Sequence, residues 1–266
     1  MKVMDSFRLD GQVALVTGGA RTLGYDMAEA LAEAGCNLVI TSREQAQAES
    51  AAQKLKAACG VDVLPLALDV RVFDQVAAVV RQAQQWKGRI DVLINNAGGG
   101  AGPGPRHLFE RDPADIVTLI HTNLIGTIYC CKEVGKVMAQ QKRGKIINIA
   151  SIAGLVGRDR KMYDRTGLPQ QPVDYAAAKA GVIGLTRDLA ALLAPHGVYV
   201  NAISPGGFER GQPAAFIAAY SERTAIGRMG RDGIDLKAAA LFLASSASDY
   251  VTGENLVVDG GFSMWH

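Results

Sequence analysis

Tyr175 and Lys179 are the two residues of this chain whose types and spacing most directly suggest chemistry. They stand four positions apart, and residues four apart on a helix share one face, with their Cβ atoms about 5–6 Å apart. Free tyrosine titrates near pH ~10, but a neighbouring positive charge stabilises the phenolate. A phenol beside an ammonium can therefore exchange a proton with an alcohol or carbonyl oxygen. The spacing alone is a weak signal, because a tyrosine and a lysine on a partly exposed helix would also show it.

A glycine-rich turn near the N-terminus gives the second indication. The run 13–17 is short and apolar, as is typical of a buried parallel strand. The turn 18–24 follows at once, and 28–34 then has a helical pattern. A glycine turn between a strand and a helix lets backbone N–H groups approach a pyrophosphate at the helix N-terminus. Taken alone, the segment could also be an ordinary connection between a strand and a helix.

Taken together, these residues resemble the short-chain dehydrogenase/reductase family, and the resemblance runs nearly end to end. The matching motifs, in the family's order, are Thr17-Gly18-x-x-x-Thr22-Leu23-Gly24, Asn95-Asn96-Ala97-Gly98, Asn123, Ser151, Tyr175 with Lys179, and Pro205-Gly206. The resemblance implies an α/β fold of the Rossmann type, a nicotinamide cofactor, and hydride transfer between that cofactor and a secondary alcohol or ketone.

The resemblance also implies catalytic roles for four residues. Tyr175 would give or take the proton of the substrate oxygen while hydride moves between the nicotinamide and the carbon. Lys179 would lower the pKa of Tyr175 and bind the nicotinamide ribose. Ser151 would hydrogen-bond the substrate oxygen. Asn123 would hold a water in the proton relay, although an asparagine inside a helix is equally often structural.

The implied cofactor contacts follow the same motifs. They are Gly18, Arg21, Thr22, Leu23, Gly24, Ser42, Arg43, Asp69, Val70, Asn96, Ala97, Gly98, Tyr175, Lys179, Pro205, Gly206 and Phe208. Ser42 stands where members that select NAD have an aspartate. A guanidinium binds phosphate through paired hydrogen bonds. We therefore expect Arg43 and Arg21 to contact the 2′-phosphate of NADP, with NAD as the alternative cofactor.

Three departures from the family pattern are specific to this chain. Thr22 replaces the middle glycine of the turn, and threonine is a reasonable helix N-cap. Arg210 replaces a threonine, which puts one nicotinamide contact in doubt. Ser151 and Tyr175 are 24 positions apart, well beyond the family's usual spacing. We call the extra residues, at about 155–173, the insertion.

Length and composition agree with one globular domain over residues 1–266. The 266 residues are 48% hydrophobic and 20% charged. The net charge of +2 gives no electrostatic case for binding nucleic acid. The sequence contains no run of 18 apolar residues, so we expect no membrane span, and the first residues lack the apolar core of a signal peptide. The four cysteines show no metal-binding spacing, so we expect a cytoplasmic protein with reduced thiols and no metal.

The order of elements predicts a doubly wound parallel sheet of about seven strands with helices on both faces. The pattern predicts strands near 12–17, 37–41, 62–67, 91–95, 145–150, 198–203 and 255–258, and helices near 23–34, 44–58, 72–86, 113–140, 174–194 and 233–245. Ligands in such sheets bind at the carboxyl ends of the strands. Two long stretches, 98–105 and the insertion, are expected to be irregular.

The insertion must pass the rim of the cleft that holds Ser151 and Tyr175. Glycines and prolines punctuate it, which favours a shaped loop over a continuous helix. Arg158, Arg160 and Arg165 make it net positive, and we expect one of them to bind a carboxylate.

A polar, net-positive loop predicts a hydroxylated substrate, namely a sugar, sugar acid or polyol. The insertion also resembles those of gluconate 5-dehydrogenase-like sugar-acid oxidoreductases. Two alternatives stay open, a 3-oxoacyl carrier-protein reductase and, in a different class, a non-catalytic NADP-binding sensor. Because family members usually assemble through the helices corresponding to 113–140 and 174–194, a homotetramer or homodimer is expected.

Overall fold

Seven parallel strands form the central sheet of the computed structural model, which describes residues 2–100, 102 and 104–265. Including two short strands outside this sheet, the strands are, in chain order, β1 (Val13–Thr17), β2 (Asn37–Ser42), β3 (Val63–Ala67), β4 (Val92–Asn95), β5 (Gly144–Ile149), β6 (Val198–Pro205), β7 (Phe208–Glu209), β8 (Gly230–Arg231) and β9 (Asn255–Val258). The sheet order is β3-β2-β1-β4-β5-β6-β9, and β7 pairs separately with β8. The predicted α/β fold is confirmed.

Helices cover both faces of this sheet. They are α1 (Thr22–Glu33), α2 (Gln45–Cys59), α3 (Phe73–Lys87), α4 (Pro113–Ile120), α5 (Gly126–Gln141), α6 (Arg160–Thr166), α7 (Val173–Leu193), α8 (Ala214–Glu222) and α9 (Lys237–Ala244). A π-helical turn, His121–Ile125, joins α4 to α5.

Strand β1 shows how the sequence builds two hydrophobic cores. All five of its residues are buried. Successive side chains of a strand point to opposite faces. Ala14 and Val16 therefore lie in a core with α1, α2 and α9, while Val13 and Leu15 lie in a second core with α3, α5 and α7. Burial on both faces explains why the central strands are apolar runs rather than alternating ones.

The insertion differs from its sequence prediction, because it contains helix α6 instead of being irregular throughout. The Asp159 side chain caps the helix by accepting a hydrogen bond of 3.0 Å from the Lys161 N–H. Gly167 ends it in the left-handed conformation. The other predicted irregular stretch, 98–105, includes Ala101 and Pro103, which lie outside the described residues.

Several other elements also differ from prediction. Helix α8 and the short strands β7 and β8 were not predicted. Helix α9 begins at Lys237 rather than near 233, because Gly233 has a φ of 73° and its N–H donates to the Asp26 carboxylate. The predicted helix at 113–140 is present but is interrupted by the π-helical turn.

The stretch Pro113–Gln141 is long and apolar enough to cross a membrane by length and composition. Core helices of soluble proteins pass the same test. Here the stretch packs against α3 and α7 and carries Asn123, which is 1% exposed and lines the pocket described below. About 33% of its apolar window is buried within this fold, and other apolar side chains, such as Val117, remain exposed.

Candidate active site

One cavity of about 760 Å³ lies at the carboxyl ends of the central strands. Its walls come from the ends of β1, β2, β4, β5 and β6, together with α4 and α7. All four residues with implied catalytic roles, Asn123, Ser151, Tyr175 and Lys179, line it. The fold thus brings together residues that are more than fifty positions apart in sequence.

Ser151 and Tyr175 face each other at the base of this cavity. Ser151 follows β5 and accepts a hydrogen bond of 3.1 Å from the Ala153 N–H, which fixes its side chain. Its hydroxyl interacts with the Tyr175 hydroxyl, and this interaction lowers the pKa of Tyr175. The net direction is nevertheless upward, because burial raises the pKa of Tyr175 more strongly.

Lys179 supplies a positive charge beneath the tyrosine ring. Its Nζ lies 5.8 Å from the centre of the Tyr175 ring and donates a hydrogen bond of 2.7 Å to the Ile149 carbonyl. The side chain is 4% exposed, and this burial lowers the pKa of Lys179 to about 8. The helical spacing predicted from the sequence therefore places the ammonium near the ring, but Ser151 and Arg158, rather than Lys179, are the groups that lower the pKa of Tyr175 in this structure.

Asn123 occupies the π-helical turn between α4 and α5. Its Oδ1 accepts a hydrogen bond of 2.7 Å from the Gly99 N–H, and its Nδ2 donates one of 3.1 Å to the Leu119 carbonyl. A Cβ at Gly98 would lie 2.6 Å from the same Oδ1, so glycine is needed there. Single π-helical turns occur often at functional sites. The side chain of Asn123 thus holds the 98–99 backbone against the cavity.

The glycine turn after β1 is held by Asn96. Its Nδ2 donates hydrogen bonds to the carbonyls of Thr17 and Gly18, at 3.1 and 3.0 Å. A Cβ at Gly24 would lie 2.2 Å from the Gly18 carbonyl oxygen, so only glycine fits. This contact packs the turn tightly against the start of α1, as a phosphate-binding turn requires.

Thr22 is not the helix N-cap that its type suggested. Arg21 precedes the helix, and Thr22 is its first residue, with a φ of 49°. A β-branched residue in the left-handed region is strained by about 1–3 kcal/mol. The backbone at Thr22 therefore adopts a left-handed conformation that favours glycine, and the Thr22 side chain lines the cavity.

Ser42, Arg43 and Arg21 line one end of the cavity, beyond the glycine turn. The guanidinium groups of both arginines are exposed, and neither forms a hydrogen bond or an ion pair within the described part of the chain. The Asp69 carboxylate, in contrast, is engaged by Arg71 through several hydrogen bonds, which lower the pKa of Asp69. The charge of Arg43 also contributes to lowering the pKa of Asp69, but both guanidinium groups beside Ser42 remain open to a ligand.

Most of the other predicted cofactor residues also line the cavity, namely Gly18, Thr22, Leu23, Asp69, Val70, Asn96, Ala97, Gly98, Pro205 and Gly206. Gly24 and Phe208 do not. Gly24 is buried in the turn, and Phe208 is 5% exposed within the core that contains α1 and α9. A role for Phe208 in cofactor binding would thus have to be indirect.

The three arginines of the insertion are not among the cavity-lining residues. Arg158 donates a hydrogen bond of 2.8 Å to the Gln171 carbonyl, and Arg160 donates to Gln170 and Gln171. Arg165 is exposed on α6. Neither Arg160 nor Arg165 therefore lies at the cavity wall, where a residue that binds a substrate carboxylate is expected.

Sequence reasoning missed part of the cavity wall. Asp115, Thr118 and Thr122 line it from the helix that leads to Asn123. Asp115 and Thr118 precede Thr122 by seven and four residues, so the three side chains fall on one helical face, with Asn123 close by. That spacing was a usable signal. Arg210 also lines the cavity, and its Nε donates to Asp232 at 2.6 Å.

A buried ion pair connects the entrance loop to the catalytic helix. Arg111, just before α4, donates through Nε to Asp174 Oδ2 at 3.0 Å, and neither side chain is more than 5% exposed. Asp174 directly precedes Tyr175 on α7. Arg111 also donates to the Pro105 carbonyl at 3.1 Å. The pair therefore ties the loop before α4 to the helix turn that carries the phenol.

Known proteins are similar to this chain both in sequence and in fold. A family model described as enoyl-(acyl carrier protein) reductase matches residues 18–263. A galactitol 2-dehydrogenase of Rhizobium johnstonii is 35% identical over 272 residues and is covered completely, as is this chain. A 3-oxoacyl-(acyl-carrier-protein) reductase of Vibrio cholerae is 36% identical over 262 residues, which cover 96% of this chain and 99% of that one.

Among solved structures, a gluconate 5-dehydrogenase from Burkholderia cenocepacia J2315, in complex with NADP and tartrate, aligns with a TM-score of 0.88. It is 35% identical, and the alignment covers both chains completely.

Proposed function

This chain belongs to the short-chain dehydrogenase/reductase family, and we propose that it is an NADP-dependent oxidoreductase acting on a secondary alcohol or ketone of a polyol, sugar or sugar acid. The observation that carries this proposal is the meeting of Ser151, Tyr175 and Lys179 in the large cavity. In the proposed reaction, the Tyr175 phenolate accepts the proton of the substrate hydroxyl, and a bound nicotinamide would take the hydride from the carbon that carries this hydroxyl. Ser151 donates a hydrogen bond to the substrate oxygen.

The cofactor supplies the hydride acceptor, and this chain's residues fit it. The turn held by Asn96 presents backbone near Gly18 to a pyrophosphate, and Gly24 allows the close packing that such a turn needs. Lys179 reaches the cavity from α7, where a ribose hydroxyl could accept its hydrogen bond. A non-catalytic sensor would need the cofactor site but not the Ser151–Tyr175 arrangement, so the enzyme proposal explains more of the site.

The substrate class is supported by relatives and by the chemistry of the wall. Thr118, Thr122 and Asp115 add polar groups to the cavity, which suits a hydroxylated substrate. One relative acts on galactitol, and one structural neighbour is a gluconate 5-dehydrogenase. A carrier-protein reductase is nearly as similar in sequence, so identity alone does not separate the two substrate classes.

A panel of substrates separates them directly. The protein would be incubated with NADP and galactitol, other polyols or gluconate, and with NADPH and an oxoacyl thioester, while the absorbance of the reduced cofactor is followed. The proposal expects oxidation of at least one polyol or sugar acid with a higher kcat/KM than reduction of the thioester. The reverse order would assign the chain to the carrier-protein alternative.

We propose that NADP binds more tightly than NAD because Arg21 and Arg43 are free to contact the 2′-phosphate. A charge-assisted hydrogen bond contributes about 1.5–3 kcal/mol, so calorimetry should give a dissociation constant for NADP about ten- to a hundredfold below that for NAD. The double variant Ser42→Asp/Arg43→Leu should reverse the order, since a carboxylate accepts hydrogen bonds from the 2′-hydroxyl of NAD. Arg81→Leu, an exposed arginine on α3, is the matched control and should change neither constant. Tighter binding of NAD by the parent protein would refute this cofactor choice.

We also propose that the chain assembles as a homotetramer or homodimer through α4, α5 and α7. Exposed apolar side chains on these helices support it, since Val117 on α4 is 64% exposed and Leu192 on α7 is 65% exposed. Sedimentation at micromolar concentration should show a dimer or larger species, and Val117→Lys should lower the assembly state. Val3→Lys, at a valine that is 75% exposed and lies outside these helices, should not lower it. A parent protein that sediments as a monomer would contradict the proposal.

The proposed setting is carbohydrate metabolism in the cytoplasm. The buried thiols of Cys36, Cys130 and Cys131 are free rather than paired in disulfides, as is usual in a reducing compartment.

A further inference from the structure

Arg158 stands in a place that its sequence position did not indicate. Its guanidinium carbon lies 5.7 Å from the centre of the Tyr175 ring, about as close as the Lys179 ammonium at 5.8 Å. The Gln171 carbonyl accepts its hydrogen bond at 2.8 Å and fixes its direction. Both Arg158 and Gln171 belong to the insertion, so the insertion itself brings this charge to the tyrosine.

Among the described residues, Arg158 and Lys179 are the two cations nearest the Tyr175 ring. Ser151 contributes a neutral hydroxyl, and Tyr163 of α6 contributes a second phenol that interacts with Arg158. The neighbouring Asp174 carboxylate is bound by Arg111. On the insertion, Arg160 is bound to Gln170 and Gln171.

The two cations respond differently to pH. Burial lowers the pKa of Lys179 to about 8, so in the ligand-free protein much of its charge is lost under mildly alkaline conditions. Burial also lowers the pKa of Arg158, but a guanidinium stays protonated in proteins. Arg158 therefore keeps its positive charge at pH values at which Lys179 has lost much of its own.

We infer that Arg158 is a positioning residue whose guanidinium holds a second positive charge against the Tyr175 ring and favours the phenolate form during proton transfer. The inference rests on the proposed function, because it concerns the proton acceptor of that reaction. It also gives the insertion a task distinct from reading a substrate carboxylate.

The pH dependence of alcohol oxidation tests this inference. The value of kcat/KM should rise with pH as Tyr175 loses its proton. Removing a positive charge beside a phenolate raises the phenol pKa, so Arg158→Gln should move the midpoint of that rise upward by about one pH unit. Well below the midpoint the variant should be about tenfold slower than the parent, and at high pH it should approach the parent rate. Damage to structure alone would lower the rate at every pH.

Three further variants complete the test, with galactitol or gluconate as the probe. Arg158→Met keeps an unbranched side chain over the ring and serves as a second neutral variant. Arg158→Lys retains a charge, so its midpoint should lie nearer the parent's than that of Arg158→Gln. Lys161→Gln removes an exposed charge from the same insertion and should leave the midpoint unchanged. An unshifted midpoint in the neutral variants, or one shifted equally in Arg158→Lys, overturns the inference.

A titration without substrate separates this inference from the proposed function. The ultraviolet absorbance of phenolate, compared with that of Tyr175→Phe, reports the ionisation of Tyr175 alone. Arg158→Gln should raise the pKa of Tyr175 by about one unit even if no substrate is turned over. If no substrate is oxidised but this shift occurs, the proposed function fails and the inference about the charge stands. If oxidation occurs and the pKa is unchanged, the inference fails alone.

Discussion

Tyr175→Phe is expected to lower kcat about 100- to 10,000-fold while leaving the fold and the affinity for NADP nearly unchanged. The substitution keeps the ring near Lys179 and Arg158 and removes only the oxygen that accepts the proton. Ser151 remains, but a serine hydroxyl beside no base is a poor proton acceptor. The rate would be measured from the absorbance of the reduced cofactor, and the affinity by calorimetry.

Tyr250→Phe is the matched control for this prediction. The Tyr250 side chain is fully exposed and does not line the cavity, so the same atomic change there should leave kcat within experimental scatter. A Tyr175→Phe protein that turns over within a few-fold of the parent would remove Tyr175 from the reaction.

Arg111→Met is expected to lower the free energy of unfolding by about 3–5 kcal/mol. Arg111 and Asp174 form a buried ion pair, and removing one partner leaves the other charge in a low-dielectric site without compensation. The double variant Arg111→Met/Asp174→Leu removes both charges and should recover part of the loss. The free energies would be compared by urea denaturation at one pH.

An exposed pair provides the control. Arg8 and Asp10 also form an ion pair, but both side chains are more than half exposed, so Arg8→Met should have little effect on stability. An Arg111→Met protein as stable as the Arg8→Met protein would show that Asp174 does not depend on its partner. The pair would then not be what fixes the start of α7.

The sequence was informative where local pattern and global fold agree. The run 13–17 predicted a buried strand, because a strand buried on both faces must be apolar, and residues of the turn after it line the cavity. The spacing of Tyr175 and Lys179 predicted their neighbourhood, since helical geometry alone sets it.

Other features depend on contacts between distant segments and could not be read in this way. Arg111 and Asp174 are 63 positions apart, and nothing in either local sequence identifies the other as its partner. Arg158 was one of three arginines of which one was expected to bind a substrate carboxylate, but its direction is set by the Gln171 carbonyl across a loop. The π-helical turn at Asn123 has no propensity signature of its own.

Helix α6 is a different case, because the sequence does contain residues that favour the beginning and the end of a helix there. Asp159 is a good N-cap residue and Gly167 a good C-terminal one, at a spacing that fits two turns. The glycines and prolines nearby favoured an irregular loop instead. Packing of Tyr163 against Phe216 of α8, with ring centres 5.3 Å apart, stabilises the short helix in the fold.

Transfer of an isotope tests the central claim most directly. The best polyol or sugar-acid substrate of the panel would be labelled with deuterium at the carbon that bears the reacting hydroxyl. It would then be oxidised by the parent protein with NADP, and the reduced cofactor would be analysed by mass spectrometry. The account predicts one deuterium in each molecule of NADPH formed, because hydride passes directly from that carbon to the nicotinamide. Unlabelled NADPH, or no NADPH from any member of the panel, would contradict it.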